Sequence, residues 1–117
     1  MGHNFKKLEI WKRSVDFVTE VYRFTGFYPK EEIFGITAQI RRSATSIPLN
    51  ISEGAAKSSN KDFARFLEMA LGSCNEVETA LIVSFNLGFI DAALFDEKTM
   101  KINELQKMIV KFKNTLQ

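Results

Sequence analysis

Apolar residues recur every three or four positions in four separate stretches of this 117-residue chain, and this rhythm limits the folds open to it. The longest regular stretch consists of Phe63, Leu67, Ala70, Cys74, Val77, Leu81 and Ser84. Such spacing places side chains on one face of an α-helix, whereas a strand repeats every two residues. Two prolines and six glycines are too few for a turn-rich β-fold. The sequence therefore predicts an all-α protein, an antiparallel up-down four-helix bundle.

The bounds of the four helices are predicted from their end signals. Gly26 and Pro29 end the first helix, and Gly88 ends the third. The second is expected to begin at Lys30-Glu31-Glu32, and the third to run from about Lys61 with Ser59 as its cap. The fourth starts near Leu94 or Asp96. Residues 1–117 form a single domain, and the polar segment 1–7 is expected to be flexible.

The run from Arg41 to Gly54 keeps the helical rhythm although Pro48 lies inside it. An interior proline removes one backbone hydrogen bond and leaves the carbonyl four residues earlier, that of Ala44, without its donor. Because apolar spacing continues to Ile51, the sequence predicts one helix kinked at Pro48. Asn50 or Ser52 is expected to supply compensating hydrogen bonds, and ligand binding by Asn50 and Glu53 is the alternative. Gly54 suits a helix C-terminus.

Two features suggest close contacts within or between subunits. The first helix carries a main apolar seam, from Leu8 through Trp11 to Thr25, and a second set formed by Ile10, Phe17, Val21 and Phe24. The third helix has a narrow middle around Gly72, a residue that costs roughly 1 kcal/mol against alanine inside a helix. Either feature fits deep burial in the bundle or a contact with another copy of the chain.

Several runs together resemble the bacterial four-helix-bundle family encoded in intervening sequences of 23S ribosomal RNA genes. The resemblance extends from about Leu8 to Ile90, with Ser43 and Ser52 standing where the family usually has alanine. It is carried by Trp11, Tyr28-Pro29, Glu32, Gln39-Ile40-Arg41-Arg42-Ser43-Ala44, Ser46-Ile47-Pro48, Asn50-Ile51-Ser52-Glu53-Gly54, Phe63-Ala64-Arg65-Phe66-Leu67, Ala70-Leu71-Gly72-Ser73 and Glu76-Val77-Glu78-Thr79.

This resemblance implies a four-helix bundle that assembles as a ring-like homopentamer, without a known catalytic activity. Within the motifs, Trp11, Pro48, Asn50, Glu53, Gly54 and Gly72 are implied to have structural roles. A related branch resembles the accessory protein of diversity-generating retroelements. That protein partners a reverse transcriptase and is associated with nucleic-acid binding through a basic surface.

Arg41 and Arg42 are the sharpest candidates for a nucleic-acid contact. Adjacent helical residues project about 100° apart, so at most one of them lies flat against the core. The planar guanidinium is well suited to phosphate. The alternative is a structural ion pair with an acid such as Glu76 or Glu78, or one across a subunit contact.

Charge is unevenly distributed along the chain. Residues 61–97 carry two basic and seven acidic side chains, whereas residues 98–117 carry five lysines and one acid. This indicates either a polyanion-binding face or two oppositely charged helices that lie side by side. Candidate nucleic-acid contacts on the last helix are Lys98, Lys101, Lys107 and Lys111.

Enzymatic chemistry is poorly supported. The only histidine, His3, lies near the N-terminus, and the ferritin-like Glu-x-x-His metal motif and glycine-rich nucleotide motifs are missing from the sequence. Cys74 is predicted to be a buried structural thiol. No signal segment or membrane span is predicted, so a cytoplasmic location is expected.

The sequence thus predicts a non-enzymatic homopentamer that binds structured RNA or another nucleic acid, without cofactor, metal or small-molecule substrate. The alternative is a structural or protein-interaction scaffold, for example a partner of a reverse transcriptase.

Overall fold

The computed structural model describes residues 3–117, and four helices joined by short connections form a bundle of 45 × 24 × 20 Å. The helices are α1 (Glu9–Thr25), α2 (Ile36–Ala55), α3 (Asn60–Asn86) and α4 (Ala92–Asn114). Short 3-10 turns precede α1 (Phe5–Lys7) and α2 (Lys30–Glu32). Each helix packs against the next and α1 also packs against α4, so α2 and α4 occupy opposite corners. The predicted all-α four-helix bundle is confirmed.

The second helix begins later than the sequence suggests. Lys30–Glu32 forms only a 3-10 turn, and Gly35 has non-helical backbone angles (φ −106°, ψ −121°). The Glu32 carboxylate accepts a 3.5 Å hydrogen bond from the Ile36 amide, which satisfies a free donor at the new helix start. Both acidic residues therefore lie before α2 and not in its first turn, and only Glu32 hydrogen-bonds to the helix start.

The other helix ends follow their local signals. Ser59 Oγ accepts from the Asp62 amide at 3.1 Å, and Asp91 Oδ1 accepts from the Leu94 amide at 2.8 Å. The Asp91 cap starts α4 at Ala92, slightly before the predicted start. Gly88 has φ +79°, the left-handed conformation that ends α3. Beyond it the chain turns back and buries Ile90.

The core contains the predicted α3 seam together with apolar residues of α2 and α4. On α1, however, the second apolar set is more deeply buried than the main seam. Ile10, Phe17, Val21 and Phe24 are buried, whereas the seam that contains Trp11 is largely half-buried. Trp11 packs at the core's edge, with its ring 5.1 Å from that of Phe5. The other buried apolar side chains include Ile40, Ile47 and Ile51 of α2, Phe63, Leu67, Val77 and Leu81 of α3, and Ile102, Leu105 and Ile109 of α4.

Helix α2 continues through Pro48 without interruption, and the kink at that residue remains a prediction. Gly54 lies one residue before the end of α2, in agreement with its predicted place at a helix C-terminus, and it also has a packing role. A Cβ atom at this position would lie 2.8 Å from Phe66 Cβ and 2.9 Å from Phe63 Cδ1. The missing side chain thus lets the end of α2 approach the start of α3.

None of the helices in the described part of the chain combines the length and apolar character that a membrane crossing requires.

Candidate nucleic-acid interface

Lys98 and Lys101, two of the four candidate lysines of α4, bind the acidic side chain of Glu20 on α1. Lys98 Nζ lies 2.6 Å from Glu20 Oε1 and 3.1 Å from Glu97 Oε1. Lys101 Nζ lies 3.0 Å from each carboxylate oxygen of Glu20. Because their charges are matched by acids of the same chain, these two lysines hold α4 against α1. Lys98 is buried in this arrangement, whereas the Lys101 side chain remains 46% exposed.

Burial and hydrogen bonding act in opposite directions on this cluster. Burial raises the pKa of Glu20, but hydrogen bonds from Lys98 and Lys101 outweigh it, so the pKa lies below its ordinary value. Burial lowers the pKa of Lys98, but the bonds to Glu20 and Glu97 outweigh it and leave the pKa raised. Glu20 and Lys98 are therefore both charged near neutral pH.

Lys107 and Lys111 lie one turn apart on the exposed side of α4. Neither forms an ion pair with any residue between 3 and 117. Lys113, by contrast, lies 3.3 Å from Glu68 of α3. Lys107 and Lys111 line the same shallow depression on the outer side of α4, together with Asn103 and Asn114. Of the four candidate lysines of α4, these two are exposed and have no ion pair within the described residues.

The turn before α1 adds two more exposed lysines, Lys6 and Lys7. The flexibility of this segment stays a prediction, and in the structure Asn4 Oδ1 accepts a 3.2 Å bond from the Lys6 amide. Phe5 packs against Trp11, and Lys7 lies beside the end of α4. Met1 and Gly2, which belong to the same predicted flexible segment, lie outside the described residues. The sequence did not indicate that Lys6 and Lys7 contribute, because a short polar segment shows no helical periodicity.

We call Lys6, Lys7, Lys107 and Lys111 the basic cluster. Lys7 and Lys111 line the same cavity, and Lys111 and Lys107 share the depression described above. Within the described residues, none of the four forms an ion pair. The cluster therefore presents uncompensated positive charge from two segments that lie about a hundred residues apart in the sequence.

Arg41 is held by the end of α1. Its Nε donates a 2.9 Å hydrogen bond to Thr25 Oγ1, and its guanidinium lies 4.5 Å from the centre of the Tyr22 ring. This arrangement combines a hydrogen bond to a buried hydroxyl with a cation–π contact. Arg41 is thus a structural residue, although its partner is α1 and not an acid of α3.

Arg42 is exposed and hydrogen-bonds only locally, from its guanidinium to Gln39 Oε1 at 3.1 Å. The predicted ion pairs of either arginine with Glu76 or Glu78 are not formed among residues 3–117, and Glu76 instead accepts a 3.0 Å bond from Ser43. Since α2 and α4 occupy opposite corners, Arg42 is not brought together with Lys107 and Lys111.

A polar seam joins α2 to α3 near Pro48. Ser46 and Ser73 hydrogen-bond through their hydroxyls, and Asn50 donates a 2.9 Å bond to the Ser46 carbonyl. Ser52 donates to the Leu49 carbonyl at 3.0 Å. Both predicted repair residues therefore bond to the α2 backbone, but to carbonyls other than that of Ala44. Glu53 lies exposed on the same helix.

The outward side of α2 and α3 carries exposed apolar residues, which include Leu49, Met69, Ile82 and Val83. Gly72 lies on this side as well, three residues from Met69, and a Cβ atom added there would have no neighbour within 4 Å. The close contact expected at Gly72 is therefore not made within the protomer. We call this surface, comprising Arg42, Leu49, Met69, Gly72, Ile82 and Val83, the outer α2–α3 face.

His3 and Cys74 both pack against the bundle. His3 packs edge-on against Phe63, with ring centres 5.0 Å apart. Cys74 is fully buried, and burial with a smaller contribution from Glu78 raises the pKa of its thiol to about 12. Among residues 3–117, no three histidine, cysteine, aspartate or glutamate side chains cluster as metal ligands do.

Comparison with known proteins agrees with the resemblance read from the motifs. The model of a family described as 23S rRNA-intervening sequence protein matches residues 6–111. A crystal structure of a protein with unknown function from the S23 ribosomal protein family, from Bacteroides thetaiotaomicron, is 24% identical and has a TM-score of 0.82. The match covers 90% of this chain and 95% of that chain, and it shows a shared fold. No curated protein matches the chain.

Proposed function

The chain belongs to the 23S rRNA-intervening sequence protein family, and we propose that it is a non-enzymatic homopentamer that binds structured RNA. The observation that carries the proposal is the basic cluster. Its four lysines are exposed at one end of the bundle and form no ion pairs within the described residues, while Lys98, Lys101 and Lys113 are matched by acids. A polyanion is the ligand that such a surface attracts.

Repetition of the basic cluster around a ring would strengthen RNA binding. Four lysines on one protomer give only a weak phosphate-binding site, but a ring presents the same cluster five times. Once one cluster has bound, the others meet the same RNA at high effective concentration. Binding of this kind releases counterions and weakens steeply as salt is added.

The outer α2–α3 face supports self-assembly. It exposes four large apolar side chains, and in a helix interior Gly72 costs roughly 1 kcal/mol relative to alanine. Within residues 3–117, nothing lies within 4 Å of a Cβ atom added at Gly72. Contact with a second copy at this face would remove the apolar side chains from water and give the glycine a packing role.

A protein-interaction scaffold is the second candidate, and a different surface favours it. Phe27 is 90% exposed and Phe34 is 95% exposed, both in the connection between α1 and α2. Leu87 is exposed at the same end of the bundle, after α3. Apolar side chains grouped in this way are typical of protein contacts. A protein partner, a reverse transcriptase among them, would bind at this end, opposite the basic cluster.

Filter binding to fragments of 23S ribosomal RNA, repeated over a salt series, tests the RNA proposal. We expect saturable binding that the double variant Lys107→Gln/Lys111→Gln weakens. The slope of log affinity against log salt should fall by roughly 0.7–0.9 for each lysine that contacts a phosphate. The double variant Arg23→Gln/Lys30→Gln removes the same charge at the opposite end and should change binding far less.

Three outcomes oppose the proposal. Absence of binding at low salt, or equal losses in the two double variants, would overturn the RNA-binding role. Light scattering tests the assembly independently, since a pentamer has five times the mass of the 13.4 kDa chain. A monomer mass at working concentration would refute the ring.

A further inference from the structure

A cavity of about 410 Å³, widely open to solvent, lies beside the basic cluster, where the turn before α1 meets the end of α4. This volume falls within the range of roughly 300–1,000 Å³ that is usual for ligand sites. Leu8 and Ile10 line it from the α1 side, and Met108 and Phe112 line it from the α4 side. These four side chains give it an apolar interior.

Two lysines on different segments border this interior. Lys7 belongs to the turn before α1 and Lys111 to α4, and both are exposed and form no ion pair within residues 3–117. Glu9, the acid that also borders the cavity, lies 3.7 Å from Arg13 and so is partly compensated. The cavity therefore combines an apolar interior with positive charge on two of its sides.

The neighbouring cavity between α1 and α4 has a different chemistry. It measures about 210 Å³ and is lined by Arg13, Glu20, Lys101 and Glu104. Its charges are matched internally, because Arg13 lies 2.7 Å from Glu104 and Lys101 lies 3.0 Å from Glu20. These pairs neutralise the charges in the middle of the groove, whereas Lys7 and Lys111 at the end beside the basic cluster have no ion pair within residues 3–117.

We propose that the cavity beside the basic cluster receives an unpaired nucleobase of the bound RNA. The base would stack against Phe112 and Met108, and the phosphates on its two sides would contact Lys7 and Lys111. A nucleotide within a strand fits this site because it joins one flat, largely apolar group to two flanking anions. A fatty acid offers one anion only. This inference rests on the proposed RNA binding and specifies which RNA is preferred.

The preference would be for RNA with a bulged or looped base. In a fully paired helix every base is stacked inside the duplex, and unpaired bases are the ones that proteins stack on aromatic side chains. Stacking of one base contributes roughly a factor of ten or more to affinity. Phosphate contacts alone would bind paired and bulged RNA equally.

The test compares two RNA hairpins that differ only in one bulged 2-aminopurine. We expect the protein to bind the bulged hairpin about tenfold more tightly than the fully paired one, with a change in 2-aminopurine emission. Met108→Glu places a carboxylate in the cavity wall and should reduce this ratio to about one. Met100→Glu adds the same charge at an exposed position of the same helix and should preserve the ratio.

Lys7→Gln provides a second variant at an exposed position that leaves the fold intact. It should weaken binding of the bulged hairpin more than binding of the paired one. Equal affinity of the unsubstituted protein for the two hairpins would overturn the nucleobase site while leaving RNA binding in place. Binding of neither hairpin at low salt would overturn RNA binding itself. Oleate binding that Met108→Glu abolishes, together with equal hairpin affinities, would assign the cavity to an apolar anion and overturn the nucleobase site.

Discussion

Lys98 Nζ on α4 donates a 2.6 Å hydrogen bond to Glu20 Oε1 on α1, and the lysine is only 8% exposed. Glu97 approaches the same ammonium at 3.1 Å, and Lys101 binds the other side of Glu20. This cluster connects the first and last helices, whose contact is otherwise the least extensive in the bundle. It therefore has a structural role that the lysine count of α4 did not reveal.

We predict that Glu20→Gln lowers the free energy of unfolding by about 2 kcal/mol. The substitution leaves Lys98 buried with Glu97 as its one remaining acid, and removing one partner from a buried pair is costly. Urea denaturation followed by circular dichroism measures the loss. The control is Glu104→Gln, which breaks the exposed Arg13–Glu104 pair between the same two helices and should cost less than about 1 kcal/mol. Equal losses would contradict the structural role of the cluster.

Lowering the pH should remove the stabilisation that Glu20 provides. Its folded-state pKa lies below the ordinary value of 4.5, so its contribution to stability is present above pH 4.5. That contribution is lost as pH falls through the lower folded-state pKa. The difference in unfolding free energy between the native protein and Glu20→Gln should therefore shrink in acid. A difference that stays constant from pH 7 to pH 2 would rule out this linkage.

Arg41 and Arg42 should respond differently to the same conservative change. Arg41→Lys loses the guanidinium stacking on Tyr22 and the hydrogen bond to Thr25, with an expected cost of about 1 kcal/mol. Arg42→Lys alters an exposed side chain and should change stability by less than about 0.5 kcal/mol. Thermal or urea unfolding of the two variants measures the contrast. If Arg42→Lys were the more damaging, the assignment of Arg41 as the structural arginine would be wrong.

The sequence was sufficient to predict the elements whose signals are local. The apolar seam from Phe63 to Ser84 predicted α3, Ser59 predicted its start, and Gly88 predicted its end. Such features depend on periodicity and backbone chemistry within a few residues. The start of α2 was placed wrongly because Lys30-Glu31-Glu32 has a suitable composition for a helix, while the non-helical backbone of Gly35 separates it from the helix proper.

Side-chain partners were harder to predict because they depend on how the helices rotate against one another. Arg41 contacts α1 through Tyr22 and Thr25, although acids are plentiful on α3. Lys98 meets an acid 78 residues away. The candidate RNA surface changed for the same reason: pairing occupies two lysines of α4, and the folded N-terminal turn supplies Lys6 and Lys7. Helical spacing identifies a face, but not what lies opposite it.

Cys74 should be unreactive in the folded protein. Its side chain is fully buried, and the thiol pKa is raised to about 12, so the reactive thiolate is scarce at pH 8. We expect labelling by a disulfide reagent to be slow without denaturant and complete in concentrated urea. Glu20→Gln should accelerate labelling by increasing the unfolded population. Rapid stoichiometric labelling of the native protein would show that the α3 core opens far more readily than its packing implies.

Two glycines should show opposite effects of an added methyl group. Gly54→Ala places its Cβ 2.8 Å from Phe66 Cβ and should lower stability by about 1–3 kcal/mol. Gly72→Ala meets no described atom of the protomer within 4 Å, so it should raise the stability of the dissociated protomer by roughly 0.5–1 kcal/mol. Gly72→Leu extends the comparison to assembly. The larger side chain fits the free protomer, but it would occupy the space where a second copy contacts the outer α2–α3 face. We therefore expect a folded protein whose mass by light scattering falls towards that of the monomer, and an unchanged oligomer would exclude this face as the subunit contact.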